Sequence, residues 1–429
     1  MSPPGRECFI GVDFGTSGVR ACAIDWQGAT LAEVRASIPS PLSPASRQVE
    51  QEPQLWWDAC LRVLDELFLQ NDLSPLALSI DGTSGTLLLC DVNGEPIGPA
   101  LMYNDSRAIE EAKALTGIAP PEAAVHSPSS ALAKLCHLLQ QPGAADAHYA
   151  LHQADWITSR LTGHTGVSDE NNALKLGYDP VHRTWPAWLM NAPIDMALLP
   201  AVLPVGDELG LLRDELRRRW KLSHPVRIIA GTTDSNAATL ACGINEIGQA
   251  ATALGSTLVV KVISDKPVYD GNYGVYSHRL GNRWLVGGAS NSGGSVLLQH
   301  FTKEQLSELS HHIKAENASG LNYYPLPDKG ERFPVNDPEL LPQLTPRPTN
   351  DVQYLHGLLE GIAGIEYRGY CKLQELGAPY PRMVVTSGGG ASNITWSKIR
   401  ERILGVPVST AKHKEAAYGS ALIAAGKPL

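Results

Sequence analysis

Residues 8–20 read Cys-Phe-Ile-Gly-Val-Asp-Phe-Gly-Thr-Ser-Gly-Val-Arg, an apolar run that ends on Asp13 and re-enters apolar sequence through a glycine-rich turn. Two strands joined by a tight turn satisfy that pattern, and a further punctuation at Trp26-Gln27-Gly28 predicts a three-strand meander from Cys8 to Ser37 that opens a mixed sheet. An acid at a strand end followed by Gly15-Thr16-Ser17-Gly18 can order a metal ion while backbone amides face phosphate. Phosphate chemistry is therefore the first hypothesis.

The chain has 429 residues, too many for one ordinary core, so two domains are expected. Helical spacing over Pro53–Leu69 follows the meander, then a second strand-turn-strand over Leu76–Asp91 around Asp81-Gly82-Thr83-Ser84-Gly85. The middle, from Ala108 to about Arg219, reads as mostly helical with Pro and Gly interruptions. A fresh buried strand begins at Pro225, which places the boundary near residue 224, with domains 1–224 and 225–429. Residues 322–350 lack an apolar period and read as a long surface loop.

The net charge of −9 argues against nucleic acid as a partner, because a basic face would be needed to neutralise phosphates. The seven cysteines are scattered, without any Cys-x-x-Cys pair, which disfavours a disulfide framework or a zinc cluster. No apolar stretch reaches the ~18 residues that span a bilayer. A cytoplasmic protein with no membrane or nucleic-acid partner is expected, either a monomer or a homodimer.

Three further segments carry chemistry. Ala230-Gly231-Thr232-Thr233-Asp234 ends a strand at the start of a small-residue helix, so the Asp234 carboxylate is either an N-cap or a base able to take a proton from a hydroxyl. Gly255-Ser256-Thr257 turns between two apolar runs, a counterpart in the second half of the Asp13 turn. Gly388-Gly389-Gly390 follows a buried strand and lets backbone approach a flat ring or a sugar; Asn393 and Trp396 follow, Trp396 as a cover for an adenine face or as core packing. No Walker A motif, no Gly-x-Ser-x-Gly elbow and no His-Glu-x-x-His occurs, so P-loop, α/β-hydrolase and zincin chemistries lose their support.

In this order the segments resemble the FGGY carbohydrate kinases, within the actin, hexokinase and heat-shock chaperone superfamily. Tyr103-Asn104-Asp105-Ser106-Arg107 resembles the family's Trp-x-Asp-x-Arg, and Asp155-Trp156 with Leu161-Thr162-Gly163 adds a further match. The resemblance implies an α/β protein of two ribonuclease H-like domains with mixed sheets and an interdomain cleft. It implies ATP and Mg²⁺: Asp13 at the metal; Gly15, Thr16, Ser17, Gly255, Ser256 and Thr257 at the phosphates; Gly388, Gly389, Gly390, Asn393 and Trp396 at the adenosine. The sugar would lie against the first domain and ATP mostly on the second, with Asp234 as catalytic base.

For the acceptor, the resemblance implies Asp13, Ser84, Asp234 and, more weakly, Asp105. Glycerol-type members carry an Arg-Glu pair where this chain has Ser84-Gly85, and many xylulose-type members a Gln and a His around the same turn. The turn is similar to that of the compact cyanobacterial and plant xylulokinase-like proteins, which implies phosphorylation of D-ribulose to D-ribulose 5-phosphate, with D-xylulose as the alternative. A non-catalytic sugar sensor would need a helix-turn-helix or a Cys-rich zinc loop, and neither motif is found. An actin-like or chaperone-like ATPase would show nucleotide turnover indifferent to sugar.

Overall fold

The computed structural model describes residues 5–70 and 72–427, which divide into two compact units. The first comprises residues up to Ala241 together with His278–Gly281 and the segment from Glu415; the second comprises Cys242–Ser277 and Asn282–Lys414.

In the first unit the meander forms as expected: β1 (Arg6–Phe14), β2 (Gly18–Ile24) and β3 (Thr30–Ser37) are successive antiparallel neighbours. α1 (Pro53–Gln70) follows and packs Trp56, Ala59, Cys60, Val63, Leu64 and Leu67 into the core beside the sheet. β4 (Leu73–Gly82) returns parallel to β1, and β5 (Arg227–Thr233) adds parallel to β4, giving a mixed six-stranded sheet closed at one edge by Glu208–Leu211. That pairing moves the division expected near residue 224. β5 reads as the first strand of a new domain, yet it hydrogen-bonds into the first sheet, and α4 (Asp234–Ala241) goes with it.

Two other expectations change. The strand Leu87–Cys90 does not pair back on β4; it enters a separate four-stranded sheet with Glu50–Gln51, Ala100–Leu101 and Tyr149–His152. The stretch 108–219 carries only short helices, among them α2 (Ala131–Leu138) and α3 (Gln153–Thr162), interleaved with short strands and 3₁₀ turns. Within this stretch Ser168-Asp169-Glu170-Asn171-Asn172 is buried although wholly polar, an arrangement that apolar periodicity cannot register.

In the second unit β6 (Gln249–Leu254) and β7 (Leu258–Ser264) form the expected hairpin, β8 (Arg283–Ser290) lies beside β7, and β9 (Met383–Ser387) runs parallel to β6. The long α5 (Asp351–Glu375) and α6 (Ile394–Leu404) pack into this core. A fully buried Arg400–Glu366 ion pair fixes them: Arg400 Nε reaches Glu366 Oε2 at 2.6 Å and Arg400 Nη1 donates to Thr386 Oγ1 on β9 at 2.6 Å. Residues 322–350 hold no regular element, but they are more than a surface loop. Phe333 is 2% exposed, and the buried Glu331 carboxylate accepts the Asn291 amide at 2.8 Å.

The helix α7 (Ala416–Ala424) belongs to the first unit and packs on β1, β2, β4 and α4. Its small residues explain the fit. A Cβ on Gly11 would stand 2.0 Å from the Ala417 carbonyl oxygen, and one on Gly419 would stand 1.8 Å from that of Ala237, so backbone lies against backbone at both crossings. Among the described residues no helix is long and apolar enough to cross a membrane, and no disulfide forms.

Candidate active site

In the first unit three strands end together, each on or beside an aspartate. Asp13 lies opposite Asp81 in the parallel β1–β4 register, and Asp81 lies opposite Thr232, two residues before Asp234. Asp13 is 4% exposed and takes one contact from Arg20 Nη1 at 3.2 Å; Arg20 itself is half-exposed and also meets Glu415. Asp81 is completely buried: its Oδ2 accepts from Ser420 on α7, while its Oδ1 has no donor. Burial pushes the Asp13 carboxyl above its ordinary range despite Arg20, and burial together with the facing Asp13 pushes Asp81 well above it. In sequence Asp81 reads only as part of a turn; its place at a strand end, like that of Asp13, is the signal that could have found it.

Asp234 opens α4, and its Oδ1 accepts the amide of the adjacent Ser235 at 2.7 Å. It is half-buried, and its charge adds to the upward shift of Asp81, so it stands near Asp13 and Asp81. The Gly15–Gly18 turn is closed by a 3.0 Å bond from the Gly15 amide to the Gly18 carbonyl; Gly15 and Thr16 are half-buried and Ser17 is exposed.

The turn after β4 is tied on several sides. The Thr83 amide and hydroxyl donate to Gln153 Oε1 at 3.0 and 2.9 Å, and the Thr83 and Thr86 hydroxyls meet at 2.6 Å. Ser84 differs: among the described residues its hydroxyl has no hydrogen-bond partner, so it does not bond its own turn and stays available to a ligand. Asp105 is not available. It is completely buried, its Oδ2 takes the Val49 amide at 2.6 Å and Arg107 Nη2 at 2.7 Å, and its Oδ1 takes the Arg107 amide at 3.2 Å. The motif match at Asp105 marks a folded corner, and its carboxylate has no lone pair turned outward for a sugar.

The second unit holds a cavity of about 830 Å³, well within the size of nucleotide pockets. Gly255, Ser256, Gly389, Gly390, Asn393 and Trp396 line it; Thr257 and Gly388 do not. Gly388 has φ +83° and a Cβ there would lie 2.5 Å from the Leu254 carbonyl, so its role is to let the chain turn. A Cβ on Gly389 would meet nothing within 4 Å: that residue opens on the cavity. Asn393 spends its side chain locally, accepting the Trp396 amide at 2.9 Å and donating to Ser310 Oγ at 2.8 Å. Trp396 is 2% exposed, donates to the Leu359 carbonyl at 3.1 Å and sits behind Gly390, so it is a wall rather than a lid. The exposed apolar side chains at the cavity are Leu298 and Ile394.

Sequence reading missed the other wall. The Gly294 and Ser295 amides donate to the Gly255 and Ser256 carbonyls at 2.8 and 3.1 Å, holding the β6–β7 turn. The small-residue run Gly287-Gly288-Ala289-Ser290-Asn291-Ser292-Gly293-Gly294 was the signal for it.

An acid-tipped hairpin at the start of one mixed sheet, a glycine-walled cavity under the hairpin of another and an acid at the head of a following helix define a two-domain phosphotransferase of the actin and hexokinase type. Models of the FGGY family of carbohydrate kinases match residues 8–241 (N-terminal domain) and 250–426 (C-terminal domain). The chain belongs to that family, and it is a carbohydrate kinase. It is 24% identical to the xylulose kinase of Staphylococcus xylosus over 97% of this chain and 90% of that one. Among solved structures it resembles a xylulose kinase from Rhodospirillum rubrum (25% identity, TM-score 0.87, covering 97% and 89%). A Plasmodium falciparum glycerol kinase with ADP superposes equally well (17%, TM-score 0.87, covering 98% and 90%), so the fold alone does not set the acceptor.

Proposed function

We propose that this carbohydrate kinase transfers the γ-phosphoryl group of ATP to the terminal hydroxyl of a ketopentose, D-ribulose, giving D-ribulose 5-phosphate. The observation that carries the reading is the turn after β4, where Thr83 and Thr86 are committed to internal bonds and the Ser84 hydroxyl is left over within the unit that bears Asp13, Asp81 and Asp234. A Ser-Gly pair at that turn supplies a small hydroxyl instead of the Arg-Glu of glycerol-type members or the Gln and His of many xylulose-type members.

In this reading Asp234 accepts the proton of the attacking hydroxyl as its oxygen bonds to the γ-phosphorus, the bond to the β-bridging oxygen breaks, and ADP leaves. Ser84 and Asp13 hold hydroxyls of the acceptor. Within the first unit, Gly15, Thr16 and Ser17 offer amides and hydroxyls to phosphate; within the second, Gly255 and Ser256 offer the same at the wall of the cavity, where Leu298 and Ile394 would flank the base. Asp13 beside the donor-free Asp81 oxygen suits Mg²⁺, which takes hard oxygen ligands from one or two carboxylates plus phosphates and water. When bound, Mg²⁺ would neutralise charge on the phosphate oxygens.

D-Xylulose is the second reading, favoured by the names of relatives such as the Staphylococcus xylosus and Rhodospirillum rubrum enzymes. ADP release measured with D-ribulose, D-xylulose, glycerol and no acceptor decides: the largest kcat/KM is expected with D-ribulose. A preference for D-xylulose would overturn the acceptor, and turnover independent of every sugar would overturn the reading.

A further inference from the structure

We propose that Lys134 is a positioning residue of the acceptor site, its ammonium fixing the Ser84–Gly85 turn in the conformation that presents the Ser84 hydroxyl. The inference rests on reading that turn as part of the acceptor site.

Lys134 projects from α2 and is completely buried, donating from Nζ to the Gly85 carbonyl at 2.8 Å and to the Met102 carbonyl at 2.6 Å. Lysine is almost never fully buried unless paired, because an ammonium loses its hydration there. Among the described residues this one has no ion-pair partner; two peptide carbonyls replace the water. Burial lowers its pKa to about 7, with Lys175 and Arg107 pushing the same way and Asp105 opposing. A fold that needed only to fill the space would place a Leu or Met there, at less cost.

The turn it holds is gripped from two more directions. Lys175 Nζ reaches the Ser84 carbonyl at 3.4 Å, and Gln153 on α3 takes both the amide and the hydroxyl of Thr83. Gly85 has φ +87°, and a Cβ there would stand 3.3 Å from Lys175 Cδ and 3.4 Å from the Ser129 carbonyl oxygen, so the space over its Cα is already filled. Both carbonyls at the tip are thus captured by lysines from separate segments, while the Ser84 hydroxyl has no partner among the described residues. A turn that served only to connect two strands needs no such restraint, since its carbonyls would be hydrated at no cost.

The test is steady-state kinetics of K134M and K175M with whichever pentulose the wild type turns over, measuring KM for acceptor and for ATP separately. A displacement of about 1 Å at a positioned group costs up to about a hundredfold, so the acceptor KM should rise at least about tenfold in K134M and about threefold in K175M, with the ATP KM within about twofold of wild type. Folded K134M with an unchanged acceptor KM, or with both KM values rising together, overturns the proposal. Should K134M not fold, the half-exposed Lys175 decides, and an unchanged acceptor KM in K175M overturns it. Wild-type protein that releases ADP with no acceptor dependence sinks the underlying reading, and this inference with it.

Discussion

Asp234 heads α4, and in the proposed reading it is also the base. Its Oδ1 accepts the adjacent Ser235 amide, a bond worth about 1 kcal/mol, whereas proton transfer by a general base contributes roughly 10²–10⁴-fold to rate. Asp234→Ala should therefore lower kcat by at least about a hundredfold while ATP still binds in the other unit, checked by single-turnover kinetics and by titration with an ATP analogue. Lys134 makes a separate prediction for stability. Its folded pKa of about 7 lies below that of an unfolded lysine, so between those values the unfolded chain binds more protons and stability rises with pH. The penalty of the buried charge is complete below pH 7 and fades above it, by up to about 1.4 kcal/mol per pH unit. Denaturant unfolding from about pH 7 to about pH 9 should show this rise in the wild type and a flatter course in K134M. Residue type alone put Asp13 at the end of a strand, Asp234 at the head of a helix and the glycines after a strand, because these are local facts. Asp105 was misjudged because its role depends on Arg107 and Val49, and sequence left Trp396 between cover and core packing because its Leu359 partner is distant in the chain.

Elements were legible where periodicity and turn chemistry agree, as in the β1–β3 meander, α1 and the β6–β7 hairpin. They were not legible where burial is polar, as in Ser168–Asn172, or where a strand changes sheet, as Leu87–Cys90 does after β4. The three glycines before α6 separate cleanly at this scale. Gly389→Val adds atoms only toward the cavity and should raise the ATP KM about tenfold with the acceptor KM little changed, whereas a Cβ at Gly390 would lie 2.7 Å from Trp396 Cζ3 and disturb the core first. Gly11→Ala tests the contact of α7 with β1. The new methyl would collide with backbone that cannot yield as a side chain does, so a loss of about 3 kcal/mol or more is expected in denaturant unfolding.

At the scale of the molecule, the two-domain class was readable from length and from the paired hairpins, but the division was not, because β5 announces a new strand without announcing its partner. The first unit draws on three stretches of chain, the last beginning at Glu415. A protein stopped at Lys414 would lack the helix that gives Asp81 its Ser420 contact and covers Gly11. Hydrogen exchange on that variant should show protection lost in β1, β2 and β4 and kept in β6 and β7; uniform protection in both would contradict the assigned packing.

The position of α7 also sets a timetable for synthesis. A ribosome that has finished α4 must read through the whole second unit before it reaches residue 416, a delay of roughly ten to thirty seconds at about 5–20 residues per second. For that interval the parts of β1, β2 and β4 that α7 covers stay exposed, and such transiently exposed apolar surface is where aggregation of a nascent chain begins.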